Sequence, residues 1–330
     1  MSHPFDRDLA RLALEICRYT YAAGVDAPEK ANALAFIKQH SRPIGDPIPL
    51  RGPGKDATSF ACLVPYENRN VISYMGTETE FDLSDLGQLR VSLRDWGKNG
   101  KARPVPFALE GKHIGQQVGV TLEGRVHRGF LSELKAVQDQ VVTALNGHGA
   151  AARPVLVTGH SQGGAEAALA TRALTAAGFT VEVGYTLAAP RAGTADFAKS
   201  VKTPVHRIEF GDDIGPHLPP TAIRVAIENA IAGGSYFRRR GLNWLLRSLE
   251  DVGYVGLGPL CYGHPNEKKF HIDLSAKAER AIFDDRLKSL TKNLQHWGDH
   301  HHLAGTTAEV KAGQIGNYTV LVSSDGWPVA

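Results

Sequence analysis

The amino-acid sequence predicts an α/β protein with a mostly parallel central sheet and helices on both faces. Three features carry that expectation. Apolar, β-branched runs alternate with segments of helical period along much of the chain, the pattern of parallel strands joined by helical crossovers. In "VLVTGHSQGGAEAALA", residues 155–170, one such run passes into an alanine-rich helical stretch across a single glycine-fenced knot. A chain of 330 residues, 42% hydrophobic and 22% charged, is also long and apolar enough to bury a large core.

Leu9, Leu12, Ala13 and Ile16 recur at i, i+3, i+4 and i+7 and predict an amphipathic first helix. A second helix is expected over 29–39. The Pro/Gly-rich stretch "SRPIGDPIPLRGPGK" reads as a loop before two strands, "TSFACLVPY" and "NVISYMGT". From Phe81 to Arg125, Leu, Trp and Val are scattered among Gly, Pro and Lys, and the stretch reads as irregular. Leu131, Leu134, Val137, Val141 and Leu145 then mark a helix, followed by the strand "PVLVTG" and the helix after the knot. Further strands are expected at "VEVGYTLA" and "VHRIEF", and a late helix at "SAKAERAIFDDRLKSL". No internal repeat appears and no linker is long enough to divide the chain, so one domain is expected over 1–330.

The formal net charge of +3 is dispersed apart from Arg238-Arg239-Arg240, which gives no support to a nucleic-acid partner. No apolar run approaches the roughly 20 residues that a bilayer requires, so no transmembrane segment is expected. Cys17, Cys62 and Cys261 cannot all pair within one chain and have neither zinc-knuckle nor CxxC spacing; they read as free, buried thiols. The opening "MSHPFDRDLARLALEICRYTYAA" lacks a continuous apolar stretch, so no signal peptide is expected. The default compartment is then cytoplasmic, although a secreted protein trimmed of its leader would look the same.

Gly159-His160-Ser161-Gln162-Gly163 has the form of a nucleophile elbow, a strained strand-to-helix turn that lifts a serine Oγ above the carboxyl edge of a sheet. The glycines suit a turn where strand and helix approach too closely for a Cβ. A serine hydroxyl attacks only when a base takes its proton, so the elbow calls for a histidine oriented by a carboxylate. In elbow-bearing folds these follow the serine in the order acid, then histidine. "RIEFGDDIGPHLPP" supplies Asp212 and Asp213, and "WGDHHHLAGTTAEV" supplies His300, His301 and His302. The elbow also aims the backbone N–H of Gln162 at a developing oxyanion.

Five blocks in order resemble the class 3 lipases, triacylglycerol lipases of α/β-hydrolase fold: "ISYMGTETEFDLSDL", "VHRGF", "VTGHSQGG", "TLAAPRAG" and "DDIGPHLPP". "GYVGLGPLCY" is a looser sixth, and the first seventy residues are not covered. The resemblance implies Ser161 as nucleophile, Asp213 as acid, and a second oxyanion donor at the backbone N–H of Thr77. Met75 stands where the family usually has arginine. For the base, the family pattern puts a hydrophobe two residues on and an aromatic five residues on. His301 meets the first through Leu303 but finds Thr306 at the second; His302 and His300 remain alternatives.

The resemblance places a lid over 81–96, with Phe81, Leu83, Leu86, Leu89 and Trp96 lining an acyl pocket. It implies hydrolysis of acylglycerol esters through a covalent acyl-enzyme, with no metal or organic cofactor required and with transient contact to a lipid interface. Phospholipase A1 and feruloyl-type esterase chemistry use the same triad, and a catalytically silent scaffold used for binding is the contrasting class. Residues 221–252 exceed the family pattern. Leu242, Leu245, Leu246 and Leu249 share one helical face there, near arginines, fit either to cap the pocket, to rest on an anionic lipid surface, or simply to pack the insertion onto the body.

Overall fold

The computed structural model describes residues 4–24, 31, 35, 38, 45–52, 59–66, 68–76, 103–148, 153–213, 215–218, 253–290, 300–301, 318–323 and 326–330. The expected helix over 29–39 falls largely outside them, and the lid over 81–96 and the insertion over 221–252 wholly outside.

The first helix, α1 (Arg7–Gly24), begins where the Asp6 carboxylate accepts the N–H groups of Asp8 and Leu9 at 2.9 and 3.0 Å. Strands β1 (Ile48–Arg51), β2 (Phe60–Pro65) and β3 (Asn70–Tyr74) follow as an antiparallel group. Next come β4 (Pro104–Leu109), β5 (Val120–His127) and α2 (Arg128–Gly147), whose first turn is capped by the His127 ring accepting the Phe130 N–H. The elbow region comprises β6 (Val155–His160) and α3 (Gln162–Ala176). Beyond it lie β7 (Val181–Leu187), β8 (Gly193–Thr194), α4 (Ala195–Ser200) and β9 (Val205–Phe210). The last described elements are β10 (Tyr254–Val255), β11 (Leu260–His264), β12 (Lys269–Leu274), α5 (Ala276–Leu290) and α6 (Thr319–Val322).

The central sheet runs β1-β2-β3-β6-β7-β9-β11-β12, with β3, β6, β7, β9 and β11 parallel and the outer pairings antiparallel. Strand alternation divides the core. Leu156, Val183, Tyr185 and Ile208 face α1, where Ala13, Ile16 and Cys17 are buried. Ile72, Val155 and Val157 face the opposite way, onto Leu134, Val137 and Val141 of α2 and Leu169 of α3. Helices therefore cover both faces, and the strands between them read as unbroken apolar runs. The three cysteines are buried and free.

The reading of 81–125 as irregular is corrected in its second half. Residues 104–109 and 120–127 are strands of a separate four-stranded sheet, β10-β8-β5-β4. Pro104 and Pro106 hid β4, and Pro49 hid β1 inside the apparent loop. Proline cannot donate to a ladder, but β4 and β1 are edge strands, where that loss costs little. Strands β11 and β12 were also missed, β12 being largely half-exposed and interrupted by a bulge.

Candidate active site

β6 ends at His160 and α3 begins at Gln162, leaving Ser161 alone in the turn with φ 54° and ψ −129°. A non-glycine residue is held there only when its surroundings fix it. Ser161 N–H donates to Leu187 O at 2.9 Å, and Ser161 O accepts the N–H groups of Gly164 and Ala165. The flanking glycines have a steric cause. A Cβ on Gly159 would lie 2.1 Å from Gly163 O, and one on Gly163 would lie 2.1 Å from Tyr74 O. The carboxyl ends of β3, β6, β7 and β9 thus meet around the serine, the edge where open parallel sheets place their ligands.

His301 Nε2 lies 2.8 Å from Ser161 Oγ, and His301 Nδ1 lies 2.9 Å from Asp213 Oδ1. An ionised carboxylate only accepts, so Nδ1 carries the proton and Nε2 presents its lone pair to the serine hydroxyl. Asp213 is fully buried just beyond β9. Its Oδ1 also accepts Gly215 N–H at 2.8 Å, and its Oδ2 accepts the Tyr318 hydroxyl at 2.7 Å. Burial alone would push the Asp213 carboxyl up; His301, the Tyr318 hydroxyl and the Arg286 guanidinium outweigh it and hold the group below its ordinary value. Burial alone would lower the His301 imidazole, and the facing Asp213 carboxylate instead raises it.

His160 links the elbow to His301. Its Nε2 lies 2.8 Å from the backbone oxygen of His301, which can only accept, so Nε2 carries the proton. Its Nδ1 then accepts the Tyr21 hydroxyl of α1 at 3.1 Å. Behind the acid loop, Arg286 of α5 donates from Nε to Gly211 O at 2.7 Å and from Nη1 to Glu209 Oε2 at 2.6 Å. Tyr262 OH donates to the same Gly211 oxygen at 3.3 Å.

Of the sequence-predicted residues, the structure brings Ser161, Asp213 and His301 into one hydrogen-bonded line. His300 is engaged elsewhere, its Nδ1 accepting Asp212 N–H at 2.7 Å. Gln162 opens α3, where its N–H has no intrahelical acceptor. Its side chain donates to the buried Glu166, whose carboxyl burial pushes well above the usual range. Thr77, His302, Phe81, Leu83, Leu86, Leu89 and Trp96 lie outside the described residues. Sequence reasoning missed Tyr318, His160, Tyr21 and Arg286. A tyrosine or arginine far along the chain carries no local motif, although His160 inside the elbow was in plain view.

This architecture, with an elbow serine, a buried histidine and a carboxylate in line, defines an α/β-hydrolase-fold protein. The family model described as Lipase (class 3) matches residues 86–223, a span that holds Ser161 and Asp213. Over that span the chain is similar to the class 3 lipases. It is 38% identical over 101 residues to "Secreted mono- and diacylglycerol lipase 1" of Fusarium solani, a match covering 29% of this chain and 30% of that protein. The chain therefore spans less than a third of the length of this curated relative. Among solved structures it is similar to the native Rhizomucor miehei lipase propeptide complex (TM-score 0.50, 20% identity, 78% of this chain and 68% of that one). It is also similar to the lipase of Rhizopus microsporus var. chinensis (TM-score 0.48, 19% identity, 78% and 74%). The Rhizomucor likeness supports the fold alone.

Proposed function

We propose that this protein is a serine ester hydrolase acting on acylglycerols, with Ser161 as nucleophile, His301 as base and Asp213 as the orienting acid. The observation that carries the reading is the unbroken line from Ser161 Oγ to His301 Nε2 and from His301 Nδ1 to Asp213 Oδ1. As Ser161 Oγ attacks the ester carbonyl carbon, its proton passes to His301 Nε2, and the imidazolium faces Asp213. The carbonyl oxygen becomes an anion that meets the N–H of Gln162 and, by family resemblance, that of Thr77. Collapse of this intermediate expels the alcohol, which takes the proton from His301. Water then attacks the acyl-enzyme by the same path and frees the carboxylic acid.

The Fusarium relative, whose name specifies mono- and diacylglycerols, supports partial glycerides as substrates. The same name calls that protein secreted, which supports an extracellular setting over the cytoplasmic default. No helix among the described residues is long and apolar enough to cross a membrane. Contact with lipid is assigned to a lid over 81–96 and to the insertion over 221–252, both extensions of a single domain.

A fluorophosphonate probe tests the chemistry: labelling lost in Ser161→Ala supports it, whereas a folded wild-type protein that stays unlabelled and inactive overturns it in favour of a binding scaffold. Emulsified mono-, di- and triacylglycerol, run beside phospholipid and feruloyl esters, tests the substrate class. Faster turnover of either of the last two overturns the acylglycerol assignment.

A further inference from the structure

Three potential metal ligands converge near the amino end of β9, away from the triad. His206 sits near the start of that strand, whereas Asp213 lies past its far end. His206 Nδ1 is 3.5 Å from Asp273 Oδ1, and Cys261 Sγ is 3.9 Å from the same oxygen. All three ligand atoms lie within 4.8 Å of one another. They come from three adjacent strands, β9, β11 and β12.

The convergence depends on a break in strand alternation. Phe270 and Ile272 pack on the α1 side of the sheet, the side of Cys261, so regular alternation would turn Asp273 to the opposite face. The pairing of β11 with β12 shifts register between Leu260 and Tyr262, and Asp273 adopts φ 52°. The extra residue brings the carboxylate back toward Cys261 and His206. Meanwhile the His206 ring is held by stacking on Tyr185, with centroids 5.3 Å apart, and by the edge of Phe5 at 5.4 Å.

We propose that His206, Cys261 and Asp273 form a structural zinc(II) site that clamps β9, β11 and β12 together. The donor set is one imidazole, one thiolate and one carboxylate, all ordinary zinc ligands. At bond lengths of about 2.0–2.3 Å, tetrahedral coordination places such atoms about 3.3–3.6 Å apart. The two separations from Asp273 Oδ1 need contraction of only a few tenths of an ångström. Asp273 is half exposed, so water has access to the fourth position. Binding displaces the Cys261 proton to solvent, and the ion's two positive charges are balanced by the thiolate and the carboxylate. Arg207, next along β9, is occupied by Glu209 at 2.7 Å and Glu279 at 2.8 Å and faces a neutral centre. Burial pushes the metal-free Cys261 thiol up to about 12, so the ion supplies the reason for it to ionise.

The test uses the full chain, stripped of metal by chelation and titrated with zinc alone, then with cobalt(II) alone. The expected result is one zinc per chain, a raised Tm, and a thiolate-to-cobalt charge-transfer band. Cys261→Ser should abolish the band, and Asp273→Asn should weaken zinc binding by about a hundredfold or more. Asparagine tolerates positive φ, so that variant keeps the bulge if Cys261→Ser folds poorly. The hairpin carries a competing group: His264 and His271 approach the Glu267 carboxylate at 3.6 and 3.4 Å. A His264→Ala/His271→Ala variant must therefore bind zinc as the wild type does. Absence of stoichiometric zinc, binding unchanged in both ligand variants, or loss only in the double-alanine variant overturns the proposal. None of these results depends on ester hydrolysis.

Discussion

Replacing Tyr318 by phenylalanine removes one hydroxyl beside the Asp213 carboxylate and leaves in place a ring that packs near Phe210 and His160. That hydroxyl donates to Oδ2 at 2.7 Å, while Oδ1 is held by His301 and Gly215. A hydrogen bond to a charged group contributes about 1.5–3 kcal/mol, and full burial of both partners leaves no solvent to screen it. Tyr318→Phe should lose that much stability at pH 7. The sign of the pH dependence follows from the depressed Asp213 carboxyl. Its contribution is present above the unfolded value of 3.8 and is lost as pH falls through the folded one. The gap between wild type and variant in urea unfolding should therefore be full at pH 7 and shrink below about pH 4. Turnover should fall less than about tenfold, because Asp213 is ionised in both ground and transition states and the hydroxyl serves both alike. A gap under about 0.5 kcal/mol at pH 7, or one that does not change with pH, would refute this account of Tyr318.

His301→Ala should cost about a millionfold in turnover of a p-nitrophenyl ester. His300→Ala should stay within about tenfold while losing about 0.5–1.5 kcal/mol in unfolding, since its ring accepts the Asp212 backbone N–H and lies edge-on to Phe210 rather than reaching Ser161. The proposed base, His301, can take the Ser161 proton only in its neutral form, and the Asp213 carboxylate holds its imidazole above 6.5. A plot of kcat/KM against pH should accordingly rise through a midpoint above 6.5, and Asp213→Asn should lower both that midpoint and the rate, the latter by about ten-thousandfold.

The elbow was legible because local sequence encodes it completely: a β-branched strand, glycines where no Cβ fits, and an alanine-rich helix. A place beyond a strand pointed to Asp212 and Asp213 alike, and only the family resemblance chose Asp213. His301 was not separable from His300 and His302 by composition, because which ring reaches Ser161 depends on how the chain returns across the sheet. Tyr318 and Arg286 gave no signal, their partners lying 105 and 77 residues away. The proline-bearing edge strands misled for a related reason, since a rule about ladder donors applies only once a strand's neighbours are known. The grouping of His206, Cys261 and Asp273 likewise arises from strand order and a bulge, neither of which is written in spacing.

His160 bonds to a tyrosine 139 residues before it and to a histidine 141 residues after it. The stretch matched by the family model, 86–223, contains only the middle of that triangle. A miniature cut to those limits would keep Ser161 and Asp213 but discard His301, the Tyr21 prop from α1, and the strands on both flanks of the sheet. Efforts to shorten, graft or circularly rejoin this molecule must preserve its two distant ends, because they meet beside the serine.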